Sequence, residues 1–145
     1  MAEAYQILKD LDVHLVTSGH QEIKISARNF KLNNKEWFTL LRAATISLAM
    51  SKFKEGWNKA VHEAMYLRTP VIGSGQGGMR ELLTGGKQII CSDFNLLRKN
   101  VEYLLNNDKV RIKMGEDGYN YAKNFTFKKF EKDWVNVINS LCQEQ

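Results

Sequence analysis

A chain of 145 residues can bury a core of its own without metals or disulfides. Hydrophobic residues make up 43% and charged residues 26%, as in a soluble globular domain, and no apolar run reaches the roughly 18 residues of a membrane span. The net charge of +5 comes from lysines and arginines scattered among acids, which fits a basic surface or a polyanionic ligand and excludes a dense basic run for specific nucleic-acid binding.

MAEAYQILKD lacks the basic flank and apolar stretch of a secretion signal, and its AEAYQILKDL portion predicts a short amphipathic helix. VHLVTS, Val13 to Ser18, reads as a strand and EIKIS as a second. Only Gly19, His20 and Gln21 lie between them, so if they pair they do so antiparallel, as a hairpin; a parallel crossover needs a dozen or more residues. Asn33 caps a helix to Ala44, with Trp37, Leu40, Leu41 and Ala44 at helical spacing. TISLAM is a compact strand, and a loop then leads to a helix from Trp57 to Leu67. PVIGS is a strand opened by Pro70, GQGG a turn, MRELL a short helix stopped by Gly85 and Gly86, and KQIIC a further strand. Asp93 caps a helix to Asn106, Asp108 begins one to about Lys123, and Thr126 caps a last amphipathic helix to about Leu141. Strands alternating with helices from Asn33 onward predict a parallel sheet covered on both faces, with ligands at the carboxyl ends of its strands.

Cys91 and Cys142 form no disulfide framework, which fits a reducing cytoplasm, and Cys91 reads as core. His14, His20 and His62 have no metal-ligand spacing to one another or to the cysteines, so no metal is expected. Trp37, Trp57 and Trp134 fall at apolar helical positions and read as packing.

Two stretches could carry chemistry. Glu55 and Glu63 stand eight positions apart. On one helix they would be roughly 12 Å apart and about 80° apart in rotation. They would then share a side and avoid the apolar stripe of Trp57, Val61, Ala64 and Met65. That span suits a diphosphate with a sugar at each end. Carboxylates accept hydrogen bonds from hydroxyls, and the Trp57, Asn58 and Lys59 amides at a helix start suit an anion between them. A plainer reading stays open, because Lys59 lies four residues from each glutamate and exposed pairs of that kind are common and weak. In the second stretch, Gly73, Gly75 and Gly78 satisfy G-x-G-x-x-G after a strand, with Asp93 20 residues beyond Gly73, the form of a dinucleotide fingerprint. The helix that follows, MRELLT, is short for a crossover, which favours a tight turn letting backbone approach a ligand or a neighbouring strand.

Taken together, Ser51, Glu55, Gly56, Trp57, Glu63, Ala64, Met65, Thr69 to Ile72, Gly77, Gly78 and Glu81 resemble the donor-binding half of retaining glycosyltransferases with the GT-B architecture, the family called glycosyl transferases group 1. LLNNDKVRIKMGEDGYNYAKNFTFKKFEKDW resembles the family's closing helices, and the similarity runs from about Glu36 to Trp134. The resemblance implies a three-layer, Rossmann-like α/β domain with a mainly parallel sheet, residues 1–145 forming a single donor domain. The family's opening strand and its acceptor-binding N-terminal domain are read as absent, the helix between the next two strands as reduced to SGHQ, and Asn58 as standing where glycine is common. The implied reaction is retaining transfer from a nucleotide diphosphate sugar without metal or other cofactor, with the chain inactive alone. Glu55 would act catalytically, contacting hydroxyls of the transferred sugar, and Glu63 would hold the ribose. Amides of Gly56, Trp57, Asn58, Lys59 and Ala60 would lie against the diphosphate and sugar, and Gly77 and Gly78 would let the adjoining turn approach. The implied partners are the nucleotide-sugar and an acceptor-domain protein or a second copy. A non-catalytic nucleotide-binding or protein-interaction module and a dinucleotide-binding Rossmann domain remain as alternatives.

Overall fold

The computed structural model describes residues 2–21, 23–54 and 56–143; the candidate Glu55 and the Glu22 of the second expected strand lie outside the described residues. In chain order the elements are α1 (Ala2–Leu8), β1 (Val16–Ser18), β2 (Arg28–Phe30), α2 (Asn34–Ala43), β3 (Ser47–Ala49), α3 (Lys59–Tyr66), β4 (Val71–Gly73), α4 (Met79–Gly85), β5 (Ile89–Ile90), a 3-10 turn (Phe94–Leu96), α5 (Leu97–Leu105), α6 (Asp108–Ala122) and α7 (Phe127–Gln143). The architecture is α/β and Rossmann-like. β3, β4 and β5 pair in parallel in that order, and β1 and β2 make a separate parallel pair.

The three layers are visible in β4, every residue of which is buried. Adjacent strand residues face opposite ways, and Val71 and Ile72 enter different apolar clusters. Ile72 packs with Leu8 of α1 and with Leu97, Val101 and Leu104 of α5. Val71 packs with Leu41 of α2, with Val61, Ala64 and Met65 of α3, and with Met79, Leu82 and Leu83 of α4. Burying each such side chain contributes about 1.5–3 kcal/mol relative to exposing it. Gln88 ties the layers together: its Oε1 accepts from the Val71 amide (2.8 Å), and its Nε2 donates to the carbonyls of Gly86 (2.5 Å) and Met114 (2.9 Å). Cys91 is buried, as expected of a core residue. No helix among the described residues is long and apolar enough to cross a membrane.

The glycines after β4 have local reasons. A Cβ on Gly73 would lie 2.7 Å from Leu83 of α4, and one on Gly75 would lie 2.7 Å from Ile90 of β5. Gly75 also holds φ at +71°, a left-handed conformation glycine adopts readily. The apparent dinucleotide fingerprint is thus occupied by close helix and strand packing, and the helix behind it ends at Gly85.

The hairpin does not form. β1 pairs in parallel with β2, Thr17 opposite Asn29, and none of residues 23–26 is in a strand. Gly19, at φ +95°, turns the chain out of the sheet. The Asn29 side chain then donates to the Gly19 carbonyl (3.1 Å), and the Gly19 amide to Phe30 (3.2 Å), fixing the return strand later than the alternation of EIKIS suggested. Ile23 stays 66% exposed and has no face to bury against.

Helix α3 begins at Lys59, two residues later than expected, because extended Asn58 caps it by accepting from the Val61 amide (2.9 Å). Trp57 therefore lies outside the helical stripe and is 40% exposed. Trp37 is part-buried against the α2–α3–α4 cluster, as expected. Trp134 is not packed: it stands 54% exposed on α7 beside Phe130, in an apolar face that continues through Phe127, Val137, Ile138 and Leu141. Phe130→Ala and Trp134→Ala are therefore expected to change stability by no more than about 0.5 kcal/mol, whereas Leu82→Ala costs about 2–5 kcal/mol. Urea unfolding of the three variants checks this, and a large loss at Trp134 would contradict the exposed placement of α7.

Candidate functional site

The Asn33 side chain accepts from the Glu36 amide (3.0 Å) while the Glu36 carboxylate accepts from the Asn33 amide (2.8 Å). This reciprocal cap fixes the start of α2 and places Trp37 at its fourth position, just after the capping Glu36. The Trp37 indole Nε1 donates to Oε2 of Glu63 on α3 at 2.7 Å. The other oxygen, Oε1, faces the Lys59 ammonium at 3.4 Å. The Lys59 side chain is 84% exposed and that of Glu63 only 15%, so this is not the fully solvated pair of the plainer reading. Glu63 is a largely enclosed carboxylate with one fixed partner and one loose one.

Below Glu63 along the helix, Lys59 and Ala60 occupy the first two positions of α3. Amides at such positions have no partner within their own helix and point along the chain toward any anion at its start. The segment leading in is anchored by aromatic contacts. The Trp57 ring lies 4.8 Å from Phe125 and 5.8 Å from His62, and the His62 ring pairs with the Ala122 carbonyl (3.0 Å). A Cβ on Gly56 would meet nothing within 4 Å, so open space adjoins it on the approach to α3. The helical distance and rotation expected between the glutamates do not apply, because Gly56, Trp57 and Asn58 precede the helix.

Glu63, Asn58, Lys59 and Ala60 are thus gathered around the first two turns of α3. Gly77 and Gly78 instead line a shallow cleft of about 590 Å³ with Arg80, Glu81, Thr84, Gly85 and Tyr121. There the Tyr121 hydroxyl has its pKa raised, first by burial and then by the Glu81 charge.

A further hollow, of about 340 Å³, lies at the carboxyl ends of the three-stranded sheet. Ser51 and Lys52 reach it after β3, Ser74 and Gln76 after β4, and Ser92 and Asp93 after β5, with Glu3 of α1 at the rim. The Ser74 hydroxyl donates to the Ser51 carbonyl (2.5 Å), and Lys52 pairs with Glu3 (2.5 Å). None of these residues except Asp93 was singled out for chemistry from its type and spacing alone. The available signal was a serine within two residues of the end of each strand.

With this geometry, the sequence of the chain matches the profile of glycosyl transferases group 1 over residues 3–121. The chain belongs to that family. The match begins well upstream of Glu36, so the β1–β2 region is part of the family domain too. Trehalose synthase of Pyrococcus horikoshii is 30% identical over 122 residues, which are 83% of this chain and 29% of that protein. An uncharacterized glycosyltransferase of Methanocaldococcus jannaschii is 24% identical over 138 residues, 84% of this chain and 39% of the other. D-inositol 3-phosphate glycosyltransferase of Corynebacterium efficiens is 29% identical over 96 residues, 64% and 22%. The chain therefore spans well under half the length of these curated relatives.

Proposed function

We propose that this domain binds a nucleotide diphosphate sugar and serves as the donor-binding, C-terminal part of a retaining glycosyltransferase. The observation that carries the reading is the enclosed Glu63 carboxylate standing one helical turn from the exposed start of α3. A carboxylate accepts from ribose hydroxyls, and the Lys59 and Ala60 amides suit the diphosphate. Glu55, in the segment leading into the helix, is assigned to hydroxyls of the transferred sugar, with the Gly56, Trp57 and Asn58 backbone beside it. Amides and basic side chains neutralise the leaving diphosphate in place of a metal. Gly77 and Gly78 are assigned to letting their turn approach the same ligand.

Titration calorimetry with UDP, GDP, ADP and their sugars tests the proposal. At least one nucleotide is expected to bind at sub-millimolar concentration; silence from all of them at millimolar concentration would sink it. The 145-residue chain by itself is expected to transfer no sugar to any acceptor. Holding an acceptor hydroxyl at the anomeric carbon can supply roughly 7–11 kcal/mol of the barrier, and that task is assigned to the part of the enzyme beyond the 29% that this chain matches in trehalose synthase. An acceptor domain on the same polypeptide, an acceptor-domain protein or a second copy is proposed to supply it. Turnover of a radiolabelled donor by the purified chain alone would contradict this assignment.

A further inference from the structure

We infer that Trp37 is a positioning residue for the donor nucleotide: it pins one oxygen of Glu63 and leaves the other to a ribose hydroxyl. The inference rests on the donor reading of Glu63 given above. The two oxygens of that carboxylate have unlike partners. Oε2 accepts from the Trp37 indole at 2.7 Å, and Oε1 faces Lys59 at 3.4 Å. The indole N–H can only donate and carries no charge, so it fixes the carboxylate without neutralising it. Its ring is held by the packed α2–α3–α4 cluster, and α2 is held by its reciprocal cap, so the donor has little freedom to swing away.

Lys59 differs on each count. It is a flexible side chain, 84% exposed, and its ammonium stands 3.4 Å from Oε1, longer than a close hydrogen bond, so its hold on that oxygen is loose. Oε1 is therefore the exchangeable oxygen. A hydroxyl can replace the ammonium there because it donates to a carboxylate; a phosphate cannot, because it meets like charge. Once displaced, the ammonium remains on the first turn of α3, beside the amides, where it can turn to a phosphate. An arginine or lysine at position 37 would cancel the charge that the ribose needs, and a phenylalanine would leave the inner oxygen without its donor.

Trp37→Phe keeps a ring in the cluster and removes only the N–H. The measurement is its affinity for whichever nucleoside diphosphate the wild type binds, and for the 2′,3′-dideoxy counterpart. The ribonucleotide is expected to bind about tenfold more weakly, as for loss of a hydrogen bond to a charged group. The dideoxy compound should change little, so discrimination between the two collapses. Unchanged affinity together with unchanged discrimination in a folded variant overturns the inference, as does equal weakening of both ligands, which a merely structural role would give. Failure of the wild type to bind any nucleotide refutes the donor reading instead. A second measurement needs no variant of Trp37. In the ¹⁵N-labelled wild type the Trp37 indole resonance should show slowed exchange with solvent and shift when nucleotide is added. Fast exchange and no shift in a protein that binds nucleotide also overturn the inference.

Discussion

Glu63→Ala is expected to weaken nucleotide and nucleotide sugar by the same factor, on the order of 100-fold, because both carry the ribose. About 3 kcal/mol is what charged hydrogen bonds of this kind contribute when lost. The variant also strips the Trp37 indole of its acceptor, which costs about 1–3 kcal/mol of stability, so affinities must be compared where both proteins are folded. Glu55→Ala is expected to behave differently, weakening only ligands that carry the sugar. Equal losses in the two variants, or sugar selectivity at Glu63, would show the assigned roles to be wrong.

Gly115→Ala is expected to remove about 3 kcal/mol of stability and lower the midpoint of thermal unfolding by roughly 10 °C. Helix α6 packs its Gly115 face directly on the turn after α3, and a Cβ there would run into the Arg68 carbonyl oxygen. That turn has little room to give. Arg68 is held at φ +62°, its guanidinium lies 3.7 Å over the Tyr119 ring and pairs with Glu116 at 2.7 Å, and the Thr69 amide bonds Ala64 at 2.9 Å. Ile112→Ala, at a 66% exposed position of the same helix, is the control and should stay within about 0.5 kcal/mol. A Gly115→Ala protein that melts with the wild type would mean that α6 does not sit this close to α3.

The parts of the fold that could be read from residue order are those set by local chemistry. Asn33, Asp93 and Thr126 each accept a backbone hydrogen bond at the helix starts assigned to them, and β4 followed Pro70 as expected. The β1–β2 pairing was not legible, because it depends on the φ of Gly19 and on an asparagine side chain bridging two strands. Neither leaves a mark in hydrophobic alternation. Trp134 misled for a related reason: helical spacing says which residues share a face, not whether anything covers it. At the site, Glu63 could be found from its spacing and family resemblance. Its indole partner could not, since Trp37 lies 26 residues away and its apolar periodicity already explained its presence.

The most direct test of the donor assignment is an amide ¹H–¹⁵N map of the chain titrated with nucleoside diphosphate. The account predicts that the largest shifts fall on Lys59, Ala60 and the residues around Glu63, and that they vanish in Glu63→Ala. Shifts centred instead on Ser51, Ser74 and Ser92 at the strand ends would contradict it, placing the nucleotide in the other hollow.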